Sequence, residues 1–319
     1  MKLAVIGAGY WGKNLVRNFF ELGVLRAVCD SDPEKIKAVK KIYSRIKTTL
    51  SYKNILSDRK IEAVVIATPA RTHYKLAKMA LRKGKDVFVE KPLALTAIEG
   101  MELVKLAKST KKLLMVGHLL EYHPGIIKLK ELIDAGELGK IYYIYSNRLN
   151  LGKIRREENI LWSFAPHDIS VMLLLLNEMP VSIFARGGNY LHKDIADVTI
   201  SNLGFKSGVK GHIFVSWLHP YKEQKLIVVG DKRMALFDDV AKKGKLRVYN
   251  RKIELRGKLP VEINGDAKII NFSRAEPLRE ECEHFLRCLK TREKPKTDGY
   301  SGVRVLKVLE ACQRSLRKN

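Results

Sequence analysis

The sequence predicts an α/β protein, in which a doubly wound parallel sheet is followed by an α+β domain with a large, mostly antiparallel sheet. Three observations carry that expectation. Over residues 1–118, short β-branched runs alternate with amphipathic helical patterns. The first run leads straight into Gly7-Ala8-Gly9-Tyr10-Trp11-Gly12. Beyond His118, consecutive apolar runs are separated by short Gly- or Asp-containing turns.

Taken in order, residues 3–6, 25–28, 63–66, 87–89 and 113–116 read as strands. Trp11, Leu15, Phe19 and Leu22, at spacings of 4, 4 and 3, mark the apolar face of a first helix. A second helical pattern over 74–81 is closed by Gly84, and Thr96 with Glu99 forms a capping box that opens a third, to about Ser109. A helix near 125–135 then leads to strands at 141–145, 181–186, 198–205, 209–217, 225–229 and 234–237, with turns such as Lys206-Ser207-Gly208 and Gly230-Asp231-Lys232. Helices at 277–289 and 301–316 close the chain. The change of pattern sets a domain boundary near Leu119, giving a dinucleotide-binding domain over 1–118 and a substrate domain over 119–319.

Composition narrows the class. At 319 residues with 46% hydrophobic residues, the chain is long enough for about two ordered domains. Sixty Lys and Arg against 34 Asp and Glu give a net charge of +26, which raises nucleic acid as a partner. The basic residues are scattered over helix faces and hairpins without a nucleic-acid-binding motif, so a basic surface that draws in an anionic small substrate is the expectation. Cys29, Cys282, Cys288 and Cys312 form no C-x-x-C pair, and the histidines show no metal-ligand spacing, so no metal site is expected. No signal segment and no apolar run of about 20 residues is present, which points to a soluble cytoplasmic protein.

Gly7-Ala8-Gly9-Tyr10-Trp11-Gly12 fits G-x-G-x-x-G in the context the motif needs, after a strand and before a helix. Its glycines allow a tight turn and let a dinucleotide pyrophosphate approach backbone N–H groups at the positive helix end. Asp30 follows Gly12 by 18 residues, the place of an acid that binds adenine-ribose hydroxyls. An acid there repels a 2′-phosphate, which favours NAD; Ser31 and Lys35 keep NADP open as a second cofactor. In such a sheet ligands lie outside the carboxyl ends of the strands, where Thr68, Pro69, His73, Glu90, Lys91 and His118 are expected to meet. A lysine there can donate to a substrate oxygen and stabilise the alkoxide that develops as a hydride leaves carbon; the alternative is an ordinary Glu90–Lys91 surface pair.

The glycine turn, Ala67-Thr68-Pro69 and Glu90-Lys91-Pro92, at these spacings and before an antiparallel second domain, resemble the Gfo/Idh/MocA family of sugar and cyclitol dehydrogenases along nearly the whole chain. The resemblance implies a Rossmann domain, Lys91 beside the nicotinamide and the reacting hydroxyl, a histidine of the second domain as acid/base, and a homo-oligomer. That histidine is expected at His167, in Trp162-Ser163-Phe164-Ala165-Pro166-His167-Asp168. Pro166 suits the first position of a helix, so His167 is expected at the positive end of a buried helix, which disfavours its protonation. The family's Asp four residues before this histidine is replaced by Ser163, which puts an Asp/His pair in doubt.

Arg148-Leu149-Asn150-Leu151-Gly152-Lys153-Ile154-Arg155-Arg156 is either a grip for a diphosphate or a basic loop. Tyr122, Arg148, Asn150, Arg155 and Ser163 accordingly join Lys91 and His167 as candidate substrate residues, and Gly7, Gly9, Tyr10, Trp11, Gly12, Asp30, Ser31, Thr68, Pro69, His73, Glu90 and His118 as candidate cofactor residues. Within the family, residues 9–18 and 162–170 look most like the branch that oxidises the 3-hydroxyl of UDP-N-acetylhexosamines or their uronates. A free-sugar or inositol dehydrogenase is the second reading, and a dinucleotide-sensing DNA-binding regulator the third.

Overall fold

The computed structural model describes residues 1–152 and 154–317. Lys153, inside the basic segment, lies outside the described residues. The chain forms two compact units, one of residues 1–119 with 276–307 and one of residues 120–275 with 308–319.

The first unit begins with β1 (Leu3–Ile6), α1 (Gly12–Glu21), β2 (Leu25–Cys29), α2 (Pro33–Ile42), β3 (Lys47–Thr49), α3 (Tyr52–Ser57), β4 (Ala63–Ile66), α4 (His73–Arg82), β5 (Asp86–Glu90), α5 (Ala97–Ser109) and β6 (Leu114–Gly117). Its six strands are all parallel, in the order β3-β2-β1-β4-β5-β6. Every residue of β1 and β4 is buried, which is why they read as unbroken apolar runs. β3 is an edge strand, and its Lys-Thr-Thr carries no apolar signal. The capping box at α5 forms, displaced by one residue on its return side: Glu99 N–H donates to Thr96 Oγ1 at 3.1 Å, and Leu95 N–H donates to the Glu99 carboxylate at 3.2 Å.

The second unit holds α6 (Pro124–Asp134), β7 (Ile141–Leu149), α7 (Ile160–Leu176), β8 (Pro180–Gly188), β9 (Val198–Phe205), β10 (Lys210–Ser216), β11 (Glu223–Gly230), β12 (Met234–Asp238), β13 (Leu246–Tyr249), β14 (Lys252–Arg256), β15 (Leu259–Ile263) and β16 (Ala267–Ile269). Eight strands run in the order β16-β13-β12-β11-β7-β10-β9-β8, and β7 with β10 is the one parallel pair in an otherwise antiparallel sheet. β14 and β15 make a separate hairpin. α8 (Pro277–Thr291) and α9 (Gly299–Leu316) close the chain. Among the described residues no helix is long and apolar enough to cross a membrane.

Two differences from expectation matter. The sequence assigns all of 119–319 to one domain, but the chain returns to the first unit at Glu276. Side chains explain the return. Phe285 of α8 packs edge-on to Phe88 of β5, which meets Phe19 of α1 (centroids 5.5 and 6.5 Å). Arg292 grips the buried Asp86 through two N–H groups at 2.9 Å, and Thr297 Oγ1 donates to the Val116 carbonyl at 2.7 Å. The second difference is α7. It starts at Ile160, so Pro166 lies inside the helix and His167 is not at its N-terminus. The Asn159 side chain caps the earlier start by accepting from Trp162 N–H at 3.2 Å, and Ile160, Leu161 and Ala165 extend the buried face upstream. Burial of that face offsets the hydrogen bond that an interior proline removes. The dipole argument for a neutral His167 therefore falls.

Candidate active site

The glycine turn is shaped by contact with its own sheet. Gly7 has φ +100°, and a Cβ there would stand 2.5 Å from the Ala67 carbonyl oxygen. A Cβ on Gly12 would stand 2.1 Å from the Gly7 oxygen, so α1 starts against the turn. Gly9 is different: a Cβ there meets nothing within 4 Å. Two glycines close the turn on the protein and the third leaves its outer side open, a cradle that fits a dinucleotide pyrophosphate.

Asp30, at the end of β2, is buried. Its Oδ2 accepts from Ala8 N–H at 2.7 Å and its Oδ1 from Asp32 N–H at 3.0 Å, with Lys35 Nζ 3.7 Å from Oδ1. Backbone donors thus fix the carboxylate beside the turn. Ser31 is exposed, and Tyr10 is 85% exposed with the Lys13 ammonium 5.4 Å from its ring centre. Trp11 donates its indole N–H to Glu90 at 2.6 Å.

At the carboxyl ends of β4, β5 and β6 the other candidates gather. Thr68 and Thr72 share a hydroxyl hydrogen bond of 2.6 Å. The buried His73 has Nε2 2.7 Å from the Thr68 carbonyl and Nδ1 2.7 Å from the Pro92 carbonyl. It therefore braces Pro69's loop against the segment that follows Lys91, and both ring nitrogens face the protein itself. The Lys91–Pro92 peptide is cis. His118, one residue past β6, is 1% exposed, and neither ring nitrogen has a hydrogen-bond partner among the described residues. Burial, with the charge of Lys91 second, pulls its imidazole down to about 3, so it is neutral at ordinary pH. A buried polar ring without a partner is costly unless a bound molecule supplies one.

The second unit carries its own polar cluster. Asp168 is 2% exposed; its Oδ1 accepts from Ser146 Oγ at 2.6 Å and from Arg148 Nη2 at 3.1 Å, and its Oδ2 from Arg148 Nε at 2.9 Å. Arg148 is thus held bidentately by the residue after His167, a partnership that sequence reading missed. Arg155 is exposed and pairs with Glu158 at 2.6 Å. Asn150 donates its backbone N–H to Ser216 at 3.0 Å. Ser163 and Tyr122 are buried, and His167 is half-buried. A period of two along β7 puts Ser146 and Arg148 on one sheet face, but it does not name Asp168 as their shared partner.

Residues 1–118 match the model described as "Oxidoreductase family, NAD-binding Rossmann fold", and residues 126–236 match the GFO/IDH/MocA C-terminal domain. The scyllo-inositol 2-dehydrogenase (NAD(+)) of Bacillus subtilis is 30% identical over 237 residues, 69% of this chain and 68% of that protein. The chain belongs to the Gfo/Idh/MocA family of oxidoreductases. A UDP-N-acetylglucosamine 3-dehydrogenase of Acidithiobacillus ferrooxidans is 26% identical over 307 residues, 96% of this chain and 94% of that protein. The solved structure of a UDP-N-acetylglucosamine 3-dehydrogenase from that organism superposes with a TM-score of 0.87 at 24% identity, covering 100% of this chain and 98% of that one. The protein is therefore an oxidoreductase whose residues 1–118 are an NAD-binding Rossmann domain, and its relatives include sugar and polyol dehydrogenases.

Proposed function

We propose that this oxidoreductase removes hydrogen from a secondary hydroxyl of a nucleotide-linked sugar, the 3-hydroxyl of a UDP-N-acetylhexosamine or its uronate. The observation that carries the substrate class is coverage: the UDP-sugar relative is matched over 96% of this chain, inositol dehydrogenases over 69% and 76%. A strongly basic chain, at +26, also suits a substrate bearing a diphosphate.

The chain's own residues divide the work. N–H groups of the turn from Gly7 to Gly12 would hold the NAD pyrophosphate, and Asp30 the adenine-ribose hydroxyls. When bound, NAD accepts the hydride. Lys91 steadies the substrate oxygen as charge develops on it, and the unpartnered, neutral His118 supplies a hydrogen bond beside it. His167 takes the hydroxyl proton, a role that now rests on the family pattern alone. Asn150 and Arg155 are the candidates to meet the diphosphate, since Arg148 is held in a buried bidentate pair with Asp168 whereas the Arg155–Glu158 pair is exposed and more easily exchanged. The proposed partner is a small molecule rather than nucleic acid, and the reaction draws on cytoplasmic NAD.

A second copy of the chain completes the proposal. The side chains of β7 that alternate with Ser146 and Arg148 include Tyr143 and Tyr145, which stack in line with His212. Exposed Phe184 and Ile200 lie on the same face by register. Such an apolar sheet face suits a homo-oligomer. Sedimentation velocity should find an oligomer that Ile200→Lys dissociates; a monomer at working concentration contradicts it.

The substrate is tested by following NADH formation with UDP-N-acetylglucosamine, its uronate, free N-acetylglucosamine and inositols, with the keto position assigned by NMR. UDP-sugars should turn over fastest and yield the 3-keto product. Removing UDP should lower kcat as well as raise KM, because remote binding energy is used in the transition state. Faster oxidation of inositol would transfer the assignment to the polyol branch.

A further inference from the structure

The bond from the Trp11 indole to Glu90 Oε1, 2.6 Å long, spans 79 positions. Trp11 is the last residue before α1, inside the glycine turn; Glu90 is the last residue of β5, and Lys91 comes next. The far side of the carboxyl group lies on β6. A Cβ built on Gly117 would stand 2.9 Å from Glu90 Oε2 and 3.1 Å from Oε1, so only glycine lets the carboxyl rest there. The group is wedged between the cofactor turn and a neighbouring strand end. The titratable groups linked to its charge on its own and the neighbouring elements are Lys91, His118 and Cys282. Lys91 follows on its own strand, His118 follows β6 and feels the charge of Lys91, and Cys282 on α8 has a thiol that feels the charge of Glu90 together with Glu281. Burial pushes the Glu90 carboxyl up to about 7, with the Trp11 hydrogen bond and the Lys91 charge acting in the opposite direction.

We propose that Glu90 is a positioning residue that couples the cofactor-holding turn to Lys91 through the Trp11 indole. This rests on the reading above that Lys91 serves the reacting hydroxyl. As the carboxylate, Glu90 accepts the indole N–H and attracts the Lys91 ammonium. Once protonated it loses that attraction and becomes a weaker acceptor for the indole. A cofactor that settles on the turn bears on the same indole, so NADH binding and Glu90 ionisation are linked reciprocally.

Trp11 reports on the carboxyl beside it, so the emission of the full chain can be followed through the neutral pH range. NADH is then titrated at fixed pH, with no sugar present. The wild type should show an emission change with a midpoint near neutrality. Both Glu90→Gln and Trp11→Phe should abolish it, while the emission of Trp162 and Trp217 remains. Each substitution should weaken NADH binding roughly tenfold, the worth of one hydrogen bond to a charged group, and the double variant should be no weaker than either single. With sugar substrate, Glu90→Gln should also flatten the acid limb of the kcat profile, and Glu90→Asp should restore part of it. Trp11→Phe removes only the indole donor and keeps the test open if Glu90 variants fold poorly. An emission titration unchanged in Glu90→Gln, or losses of NADH affinity that add in the double variant, would overturn the coupling. Normal turnover in Lys91→Ala would instead remove the reading on which it rests, and leave these binding results standing.

Discussion

Asp30 and Asp168 are both buried carboxylates beside residues assigned to chemistry, yet the first is held by backbone N–H groups and the second by a hydroxyl and a guanidinium. Backbone donors come with the chain path: once Gly7 and Gly12 set the turn, Ala8 presents its N–H, and Asp32 presents its own from the connection after β2, whatever their side chains are. Side-chain donors depend on the register of β7 against α7 and on the identities of Ser146 and Arg148. The first arrangement is rigid and tolerant of local sequence. The second stores its stability in a charge pair that fails if either partner is lost.

The largest expected effect follows from that difference. Asp168→Ala leaves the Arg148 guanidinium without its partner, which should cost about 3–5 kcal/mol in thermal or denaturant unfolding. Replacing both partners, with Arg148→Met and Asp168→Leu, should recover much of the loss, while NADH affinity stays within about twofold of wild type throughout. A double variant as unstable as Asp168→Ala would show that the pair does more than neutralise itself.

A smaller effect belongs to the first unit and appears as a pH dependence. The buried His118 is held at about 3, below its ordinary value of 6.5. The unfolded imidazole takes up a proton below about 6.5 and the folded one does not until about 3. The stability this group contributes is therefore present above pH 6.5 and lost as pH falls toward 3. His118→Asn should flatten the stability profile between about pH 6.5 and 5, above the range where ordinary carboxylates titrate, with the raised Glu90 carboxyl common to both proteins. Equal slopes for the two proteins would mean that the imidazole is protonated in the fold.

The same contrast explains what could be read from the sequence. The parallel sheet, the glycine turn and Asp30 were legible because they use a period of two, a fixed spacing and the backbone. β1 and β4 fall at 3–6 and 63–66, as expected. The Trp11–Glu90 bond, the Arg292–Asp86 pair that returns α8 to the first unit, and the Asp168 cluster join side chains 79, 206 and 20 positions apart. No local pattern marks them. Pro166 misled for a related reason: proline favours a first helical position, but the cap at Asn159 and the apolar residues upstream of Pro166 outweighed that preference. His167 thereby lost its dipole argument and kept only the family pattern.

The central claim is that Lys91 and His167 act in the chemical step while the glycine turn and Asp30 hold the cofactor. Steady-state NADH formation with the best substrate, set beside NADH affinity measured by direct titration, tests it on Lys91→Ala and His167→Ala. Each variant should lose roughly 100-fold or more in kcat, the scale of a lost electrostatic or acid–base contribution, with NADH affinity changed less than about threefold. Near-normal kcat in either variant would contradict the claim for that residue.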